Sequence, residues 1–426
     1  MSNWNEFKKE AGASLQIALQ WLLLAIPTGL ACGFVGTAFH LTVEYVTELR
    51  AAQPWLLFCL PVAGLAIVAL YKATKCEGVG TNTVIRAVQS GEPVSILLVP
   101  AIFLGTVLTH LCGGSAGREG AALQMGGSIG WNVGKLLHLH DHVRRTATIS
   151  GMAAFFSALF GTPLTAALFA MMVEDVGLTF TSAFIPAFSS ALIAYGVSLA
   201  CGIAPTNFVL NSIPALTLDT AIRTALLGIA CALVTRLFCL ALHVLEHELP
   251  KRLPNPWLRV VLGGAAVVAF SYLFGVGRYN GAGMPVIAAA VEQGVALPWD
   301  FLCKIFLTAL TLAAGFKGGE VVPSFFIGAT FGCVVGPALG LPAGFAAAIG
   351  LVSVFCGATN ALIPSILLGF ELFGGQGLEL IALGCGVCYM LSGHSGLYSS
   401  QTFVTNKLRP EYASHKLRFK AQKHED

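Results

Sequence analysis

The sequence predicts an all-α, polytopic membrane protein assembled from two repeats whose broken helices meet near the middle of the bilayer. Three observations carry that prediction. Hydrophobic residues make up 56% of the chain and charged residues 11%, against about 25% charged in an average soluble domain. Apolar runs fill more of the chain than one soluble core of this length would bury. The second half repeats motifs of the first in the same order, and the stretch GGSAGREGAALQMGG (113–127) sets Arg118 and Glu119 in a glycine-rich break between two apolar runs. Charge beside open backbone at membrane depth is tolerated only where protein or water surrounds it, so the break reads as functional.

The elements follow in order. A polar, amphipathic stretch (1–14) precedes a first apolar span from Leu15 to about Val43. That span is too long for one perpendicular crossing and is expected to tilt, or to break near Pro27. A second span (55–71) ends at Lys72 and Lys75, and the polar, glycine-flanked segment GVGTNTVI (78–85) comes next. The apolar run 94–111 leads into the central break, with a helix expected to start at Gly120 or Ala121. A basic, histidine-rich loop (138–145) follows, then apolar segments at 148–173, broken by Pro163, and at 177–200. A polar connection separates the halves. The expected organisation is an N-terminal segment (1–14), a first repeat (15–200), a connection (201–219), a second repeat (220–405) and a basic tail (406–426).

The duplication rests on three ordered matches. GVGTNTVIRAVQSG (78–91) aligns with GAGMPVIAAAVEQG (281–294), so that Gly80, Ala87, Val88 and Gly91 match Gly283, Ala290, Val291 and Gly294. About the same offset lays the central stretch on GFKGGEVVPSFFIGATFG (315–332). Gly117, Gly126, Gly130 and Gly134 then fall on Gly319, Gly328, Gly332 and Gly336. The third match pairs FGTPLTAALFAMMVED (160–175) with ATNALIPSILLGFELFG (358–374). Duplicated halves with interrupted segments at matching positions are the signature of inverted-repeat transporters, whose substrate sits where the broken helices meet. Parallel repeats would leave the same trace in sequence. At the breaks 78–82, 117–120 and 319–323, clustered N–H groups and the positive ends of helices suit an anion. Glu119 is an anion already built in. The alternative is that glycines permit close helix packing. Packing is the better reading for Gly126, Gly130, Gly134 and their mates; the polar breaks keep the site reading, because polar and charged residues accompany them.

GSAGREG (114–120) resembles the most diagnostic motif of the CLC chloride channels and transporters. Three further segments have counterparts there in the same order: the break at 78–82, GGEVVP (318–323) and GHSGLYSSQ (393–401). The resemblance covers about residues 15–405. It implies a CLC-type fold of two inverted repeats with a midplane anion site, in a homodimer whose subunits each hold an anion pathway. Departures from the chloride-transporting members point to a branch. Those members carry GSGIP at the first break, where this chain has GVGTN with Asn82 at the proline position. They carry G-x-F-x-P at the third, where Glu320, Val321 and Val322 precede Pro323. The internal proton glutamate of the exchangers should lie near Met172 and Val173, with Glu174 and Asp175 just beyond. All three departures look like the fluoride/proton antiporter branch, CLC-F, with one further difference: Val322 replaces that branch's usual threonine.

By this resemblance Glu119 is the gating glutamate. Ionised, it occupies the anion site; protonated, it swings away carrying a proton. Glu320 is implied in coupling, holding Glu119 inward or relaying the proton, the structural alternative being a pair with Lys317 or Arg118. Fluoride is strongly hydrated, so stripping its water takes dense N–H and O–H donors. Val79, Gly80, Thr81, Asn82, Gly120, Val321, Val322 and Tyr398 are the expected anion-binding residues. The resemblance makes Tyr398 the inner gate; its alternative is an interfacial belt residue. Arg118 reads as structural, and Glu371 is assigned no role. His138, His140, Asp141 and His142 have metal-like types, but their loop position beside Arg144 and Arg145 favours a solvated connection. The twelve cysteines, Cys385 and Cys388 on one helix face included, read as small buried hydrophobes. No metal or cofactor is implied.

The net charge of +3 gathers largely in the tail and speaks for membrane orientation, not for a nucleic-acid partner. Lys8 and Lys9 before the first span, and Lys407, Arg409, Lys416, Arg418, Lys420 and Lys423 after the last, place both termini in the cytoplasm. No cleavable signal is evident, and the tail is too short for the paired regulatory domains of many CLC proteins. The expectation is a proton-coupled fluoride exporter of a bacterial cell membrane, a homodimer in the lipid bilayer that is not an enzyme. The alternative is a chloride/proton exchanger or chloride channel. A membrane enzyme using Glu119 and Glu320 as paired acids is disfavoured, since no nucleophile or metal set clusters with them.

Overall fold

The apolar runs become helices, and glycine and proline decide where each one stops. The computed structural model describes residues 2–176, 181–394, 396–404 and 407–408, with the backbone alone for residues 2–11, 13, 14, 141 and 142. The lysines expected at 8 and 9 and the basic tail from 409 onward therefore lie outside the described side chains. Among the described residues, eight α-helices precede the connection: α1 (Ser2–Ala52), α2 (Leu60–Ala73), α3 (Thr81–Ser90), α4 (Leu98–Leu111), α5 (Glu119–Leu136), α6 (Asp141–Phe160), α7 (Pro163–Met172) and α8 (Phe184–Ala200). Eight follow it: α9 (Leu218–Arg252), α10 (Pro256–Phe274), α11 (Met284–Ala288), α12 (Asp300–Ala314), α13 (Val321–Ala338), α14 (Ala343–Thr359), α15 (Leu362–Phe373) and α16 (Leu378–Leu391). A two-residue parallel pair, β1 (Asp175–Val176) and β2 (Thr402–Phe403), ties the end of the first half to the end of the second.

Six stretches among the described residues are long and apolar enough to cross a membrane: Leu15–Ala52, Pro54–Ala73, Thr181–Ala200, Leu218–Arg252, Pro256–Phe274 and Val321–Ala338. The ten-residue helices α3 and α7 are about 15 Å long, half the hydrocarbon thickness, and do not cross alone. Several boundaries differ from the sequence reading. α1 runs unbroken through Pro27, so its excess length goes into tilt or protrusion. The second span divides into a 3-10 stretch (Pro54–Cys59) and α2, because Pro61 lacks an N–H and suits the first turn of a new helix. The histidine-rich segment is a loop only to His140; Asp141 already opens α6. At the expected Pro163 break, Gly161 takes a left-handed φ of 71° and Pro163 starts α7.

The glycines spaced by four do what close packing requires. A Cβ on Gly126 would meet the carbonyl of Gly151, and one on Gly130 the carbonyl of Ala147, so α5 lies directly on α6. The second half repeats the seam, with Gly328 against the Gly350 carbonyl and Gly332 against that of Ala346 between α13 and α14. One break lost its openness in the second half. At the counterpart of 78–82, the fully buried ammonium of Lys304 donates to the carbonyls of Tyr279 (3.0 Å) and Gly281 (2.6 Å). The helix after it shortens to α11 and a π-helical turn (Ala289–Gln293). Three breaks remain to build a site.

Candidate functional site

The central breaks of the two halves are bonded to each other. Gly117 N–H donates to the Gly319 carbonyl (2.6 Å) and Gly319 N–H donates back to Gly117 (2.7 Å), an antiparallel bridge between repeat mates. Equivalent residues that pair reciprocally are related by a local two-fold axis, so the bridge brings the starts of α5 and α13 together head to head. Glycine is required there for approach. A Cβ on Gly120 would stand 2.8 Å from Gly319 Cα. The α5 start falls at Glu119, one residue ahead of the expected position, with Arg118 in the capping place.

The two acids take up this double helix start between them. Glu119 is fully buried and its Oε2 accepts the Arg118 N–H (2.9 Å). Its Oε1 is buried without a hydrogen-bond partner, and the start of α13 lies within electrostatic reach of it. Arg118 Nε stands 3.5 Å from Glu119 Oε1. Glu320 crosses the other way: its Oε2 would lie 3.2 Å from a Cβ on Gly120, close to the first turn of α5. No ion pair links Glu320 to Lys317 or Arg118 among the described residues; Lys317 Nζ instead sits 4.2 Å from the centre of the Tyr71 ring. Val321 and Val322 are buried.

The first break faces the same place. α3 starts at Thr81 after the extended Gly80, whose N–H points at Thr83 Oγ1 (3.4 Å). Asn82 Oδ1 accepts from Ser400 through both N–H (3.2 Å) and Oγ (2.9 Å), which leaves its amide hydrogens for a ligand. Tyr398 is buried, its hydroxyl has no protein partner, and it stands within electrostatic reach of Glu320 and Glu119. Its segment is pinned by Leu397 N–H on the Ala358 carbonyl (2.7 Å) and by Gln401 Nε2 on the carbonyls of Val173 (2.9 Å) and Thr359 (2.8 Å). A cavity of about 260 Å³ runs up to this cluster, lined by Val79, Gly80, Thr81, Asn82 and Glu320 among others. Glu119, Gly120, Val321, Val322 and Tyr398 are not among the residues that line it. Chemically, a small anion can accept from the same N–H and O–H donors that surround this carboxylate.

Two residues here escaped the sequence reading. Gln124 Nε2 donates to Thr81 Oγ1 (3.1 Å) while its Oε1, buried, has no partner. The only signal was one amide in the run AALQM. Glu246 lines the cavity from α9, and in sequence it passes for one more acid at a helix end. Glu371, given no role, accepts the N–H groups of Leu164 (3.1 Å) and Thr165 (3.0 Å) at the start of α7. No metal-ligand cluster occurs among the described residues, and the side chains of Asp141 and His142 lie outside them.

Comparison with known proteins points one way. A family model described as voltage gated chloride channel matches residues 63–393. The chain is 35% identical over 328 residues to a chloride/fluoride channel protein of Pseudomonas syringae pv. tomato, covering 75% of this chain and 72% of that one. It is 27% identical over 341 residues to the H(+)/Cl(-) exchange transporter ClcA of Cronobacter sakazakii, covering 74% and 73%. Among solved structures it superposes on a crystal structure of a CLC-type fluoride/proton antiporter with a TM-score of 0.87 and 34% identity, over 90% of this chain and 98% of that one. A slow cyanobacterial Cl−/H+ antiporter, at 20% identity and a TM-score of 0.75, shares the fold over 87% and 94%. The all-α polytopic CLC-type fold expected from the motifs is borne out.

Proposed function

Because this chain belongs to the voltage gated chloride channel family, we propose that it is a secondary transporter that exports fluoride in exchange for protons. The observation that carries the reading is the Glu119 carboxylate, fully buried where the two helix starts meet, with one oxygen on the Arg118 N–H and the other without a partner. Ionised, it holds the seat an anion would take; protonated, it gives up its claim on that N–H and leaves with its proton. Fluoride and the carboxylate thus exclude each other, and each exchange moves one against the other. Glu320, packed at the start of α5, receives or steadies Glu119 in its inward position. The Asn82 amide, the Thr81 and Tyr398 hydroxyls and the amides of Gly120, Val321 and Val322 supply short-range donors for a strongly hydrated anion.

The same reading carries the cell setting. HF crosses membranes, dissociates in a neutral cytoplasm and leaves fluoride trapped; inward proton flow drives it out and protects the cell. Both termini face the cytoplasm of a bacterium by the positive-inside rule, and the transporter works as a homodimer with one pathway per subunit. The test is ion-selective-electrode efflux from proteoliposomes, fluoride against chloride, for wild type and Glu119→Gln. Wild type should release fluoride with matching proton uptake, and the variant, whose side chain holds no titratable proton, should lose transport or move fluoride without protons. Chloride flux equal to or faster than fluoride flux would reject the assignment in favour of a chloride/proton exchanger or chloride channel.

A further inference from the structure

The coupled reading leaves the proton with no way from Glu320 to water, and the place where exchangers keep an internal glutamate offers none. Met172 is the last residue of α7 and Val173 is buried. The nearest acid, Glu174, is held by Arg145 Nη2 at 2.7 Å, with its carbonyl taken by Thr402 N–H. Asp175 is bonded to Thr402 and lies 3.6 Å from Arg145. Neither acid lines the cavity. They form a structural knot around the two short strands.

The cavity itself points elsewhere. Of the described residues that line it, two are carboxylates, Glu320 and Glu246. Glu246 comes from the last two turns of α9, a different helix from any that builds the anion seat. It is solvent-exposed, Glu320 is partly buried and Glu119 fully buried, so the three acids descend in exposure from water to the seat. The charge of Glu246 reaches Glu320, and that of Glu320 is in turn coupled to Glu119. No hydrogen bond or ion pair holds Glu246 among the described residues, whereas Glu174 and Asp300 are both so held. Lys317 faces Glu246 from the loop before α13, with Tyr71 of α2 under its ammonium and Arg259 of α10 within reach. Arg86 of α3 lines the same space. These cations offset the charge of either acid when it is ionised. The volume, about 260 Å³, has room for several waters at about 30 Å³ each.

We infer that Glu246 is the proton station between Glu320 and the aqueous face of the cavity, in place of an internal glutamate on α7. The inference rests on the reading of Glu320 as a coupling acid. The step is an acid–base transfer: the O–H bond of the Glu320 carboxyl breaks, its proton passes through cavity water to a Glu246 oxygen, and Glu246 releases it to bulk. Ionisable side chains at membrane depth and at its mouth are the usual material of such relays.

The test uses the full-length protein in liposomes, with fluoride and proton fluxes measured together for wild type, Glu246→Gln, Glu246→Asp and Glu320→Gln. Removing a positioned proton carrier slows a proton-limited step by about a hundredfold. Glu246→Gln should therefore lose at least about tenfold in coupled turnover while equilibrium fluoride binding stays within about twofold, and Glu246→Asp should recover most of the rate. If Glu246→Gln does not fold, Glu246→Cys replaces it in a background where Cys201, exposed and not buried as expected, and the half-buried Cys59 are serine. Modification with a carboxylate-bearing thiol reagent should then restore rate, and an uncharged reagent should not. Wild-type rates in Glu246→Gln, or equal rescue by both reagents, would overturn the proposal. If Glu320→Gln keeps full coupling, the coupling role of Glu320 fails instead; if it loses coupling while Glu246→Gln keeps it, only the station fails.

Discussion

At the scale of single residues, a buried polar atom without a partner says more than a well-bonded one. Tyr398 is 2% exposed and its hydroxyl bonds to nothing in the protein, although a buried hydroxyl ordinarily finds a partner. It stands within electrostatic reach of the two acids, and under the proposed exchange an anion in the seat Glu119 vacates would be the acceptor it lacks. Tyr398→Phe removes no hydrogen bond from the empty protein, so thermal stability in detergent should stay within about 0.5 kcal/mol of wild type. Fluoride affinity, measured by titration calorimetry, should fall by about ten- to a hundredfold, the worth of a hydrogen bond to a charged group. Unchanged affinity would place the anion out of reach of Tyr398. This tyrosine was legible in GHSGLY only through its resemblance to a family motif, and Glu119 was legible on physical grounds, as a charge in a glycine break. Gln124 was not: a lone amide in a buried helix carries no periodic or local signature, and its significance depends on α3 starting opposite it.

At the scale of elements, the helix starts divide into those capped from nearby sequence and those capped from afar. The starts of α3, α5 and α13 announce themselves because glycines, charges and hydroxyls cluster at each break. α7 does not. Thr162 makes no side-chain cap there, and the amides of Leu164 and Thr165 are taken instead by Glu371, some 207 positions away on α15. No sequence pattern links residues so far apart, which is why that acid remained without a role. A helix N-terminus both needs acceptors and favours negative charge. Glu371→Ala leaves two N–H groups without acceptors and should lower unfolding stability by about 1–3 kcal/mol, read as a drop in Tm in detergent. Because Gln401 leans on the carbonyl of Val173 at the end of α7, the same variant should loosen the Tyr398 segment and slow fluoride efflux. Glu371→Gln keeps an acceptor oxygen and should lie between. A Tm unchanged by the alanine variant would show that water supplies the cap.

At the scale of the whole molecule, duplication was readable from spacing alone, whereas the relation between the halves was not. Repeats in parallel and inverted repeats leave the same sequence; what the structure adds is a local two-fold relation, in Gly117 and Gly319 bonding each other reciprocally. Equally invisible was the loss of symmetry at Gly281, where Lys304 fills the space with its ammonium. If the two-fold relation is physical, matching seams should respond alike. In the first half a Cβ on Gly151 would meet the carbonyl of Gly126; in the second, one on Gly350 would meet the carbonyl of Gly328. Backbone does not yield as a flexible side chain does, so Gly151→Ala and Gly350→Ala should each push their helix pair apart at a cost of about 1–3 kcal/mol. The displaced helices, α5 and α13, carry Glu119 and Glu320 at their starts, so both variants should also slow coupled fluoride transport. Gly386→Ala on α16, where an added methyl meets nothing within 4 Å, controls for the exchange itself and should leave Tm and flux unchanged. Paired Tm and efflux measurements on the three variants decide the matter. A large loss in one seam with none in the other would mean that the halves share a sequence ancestry but no longer a common packing, and that one helix alone sets the geometry of the seat.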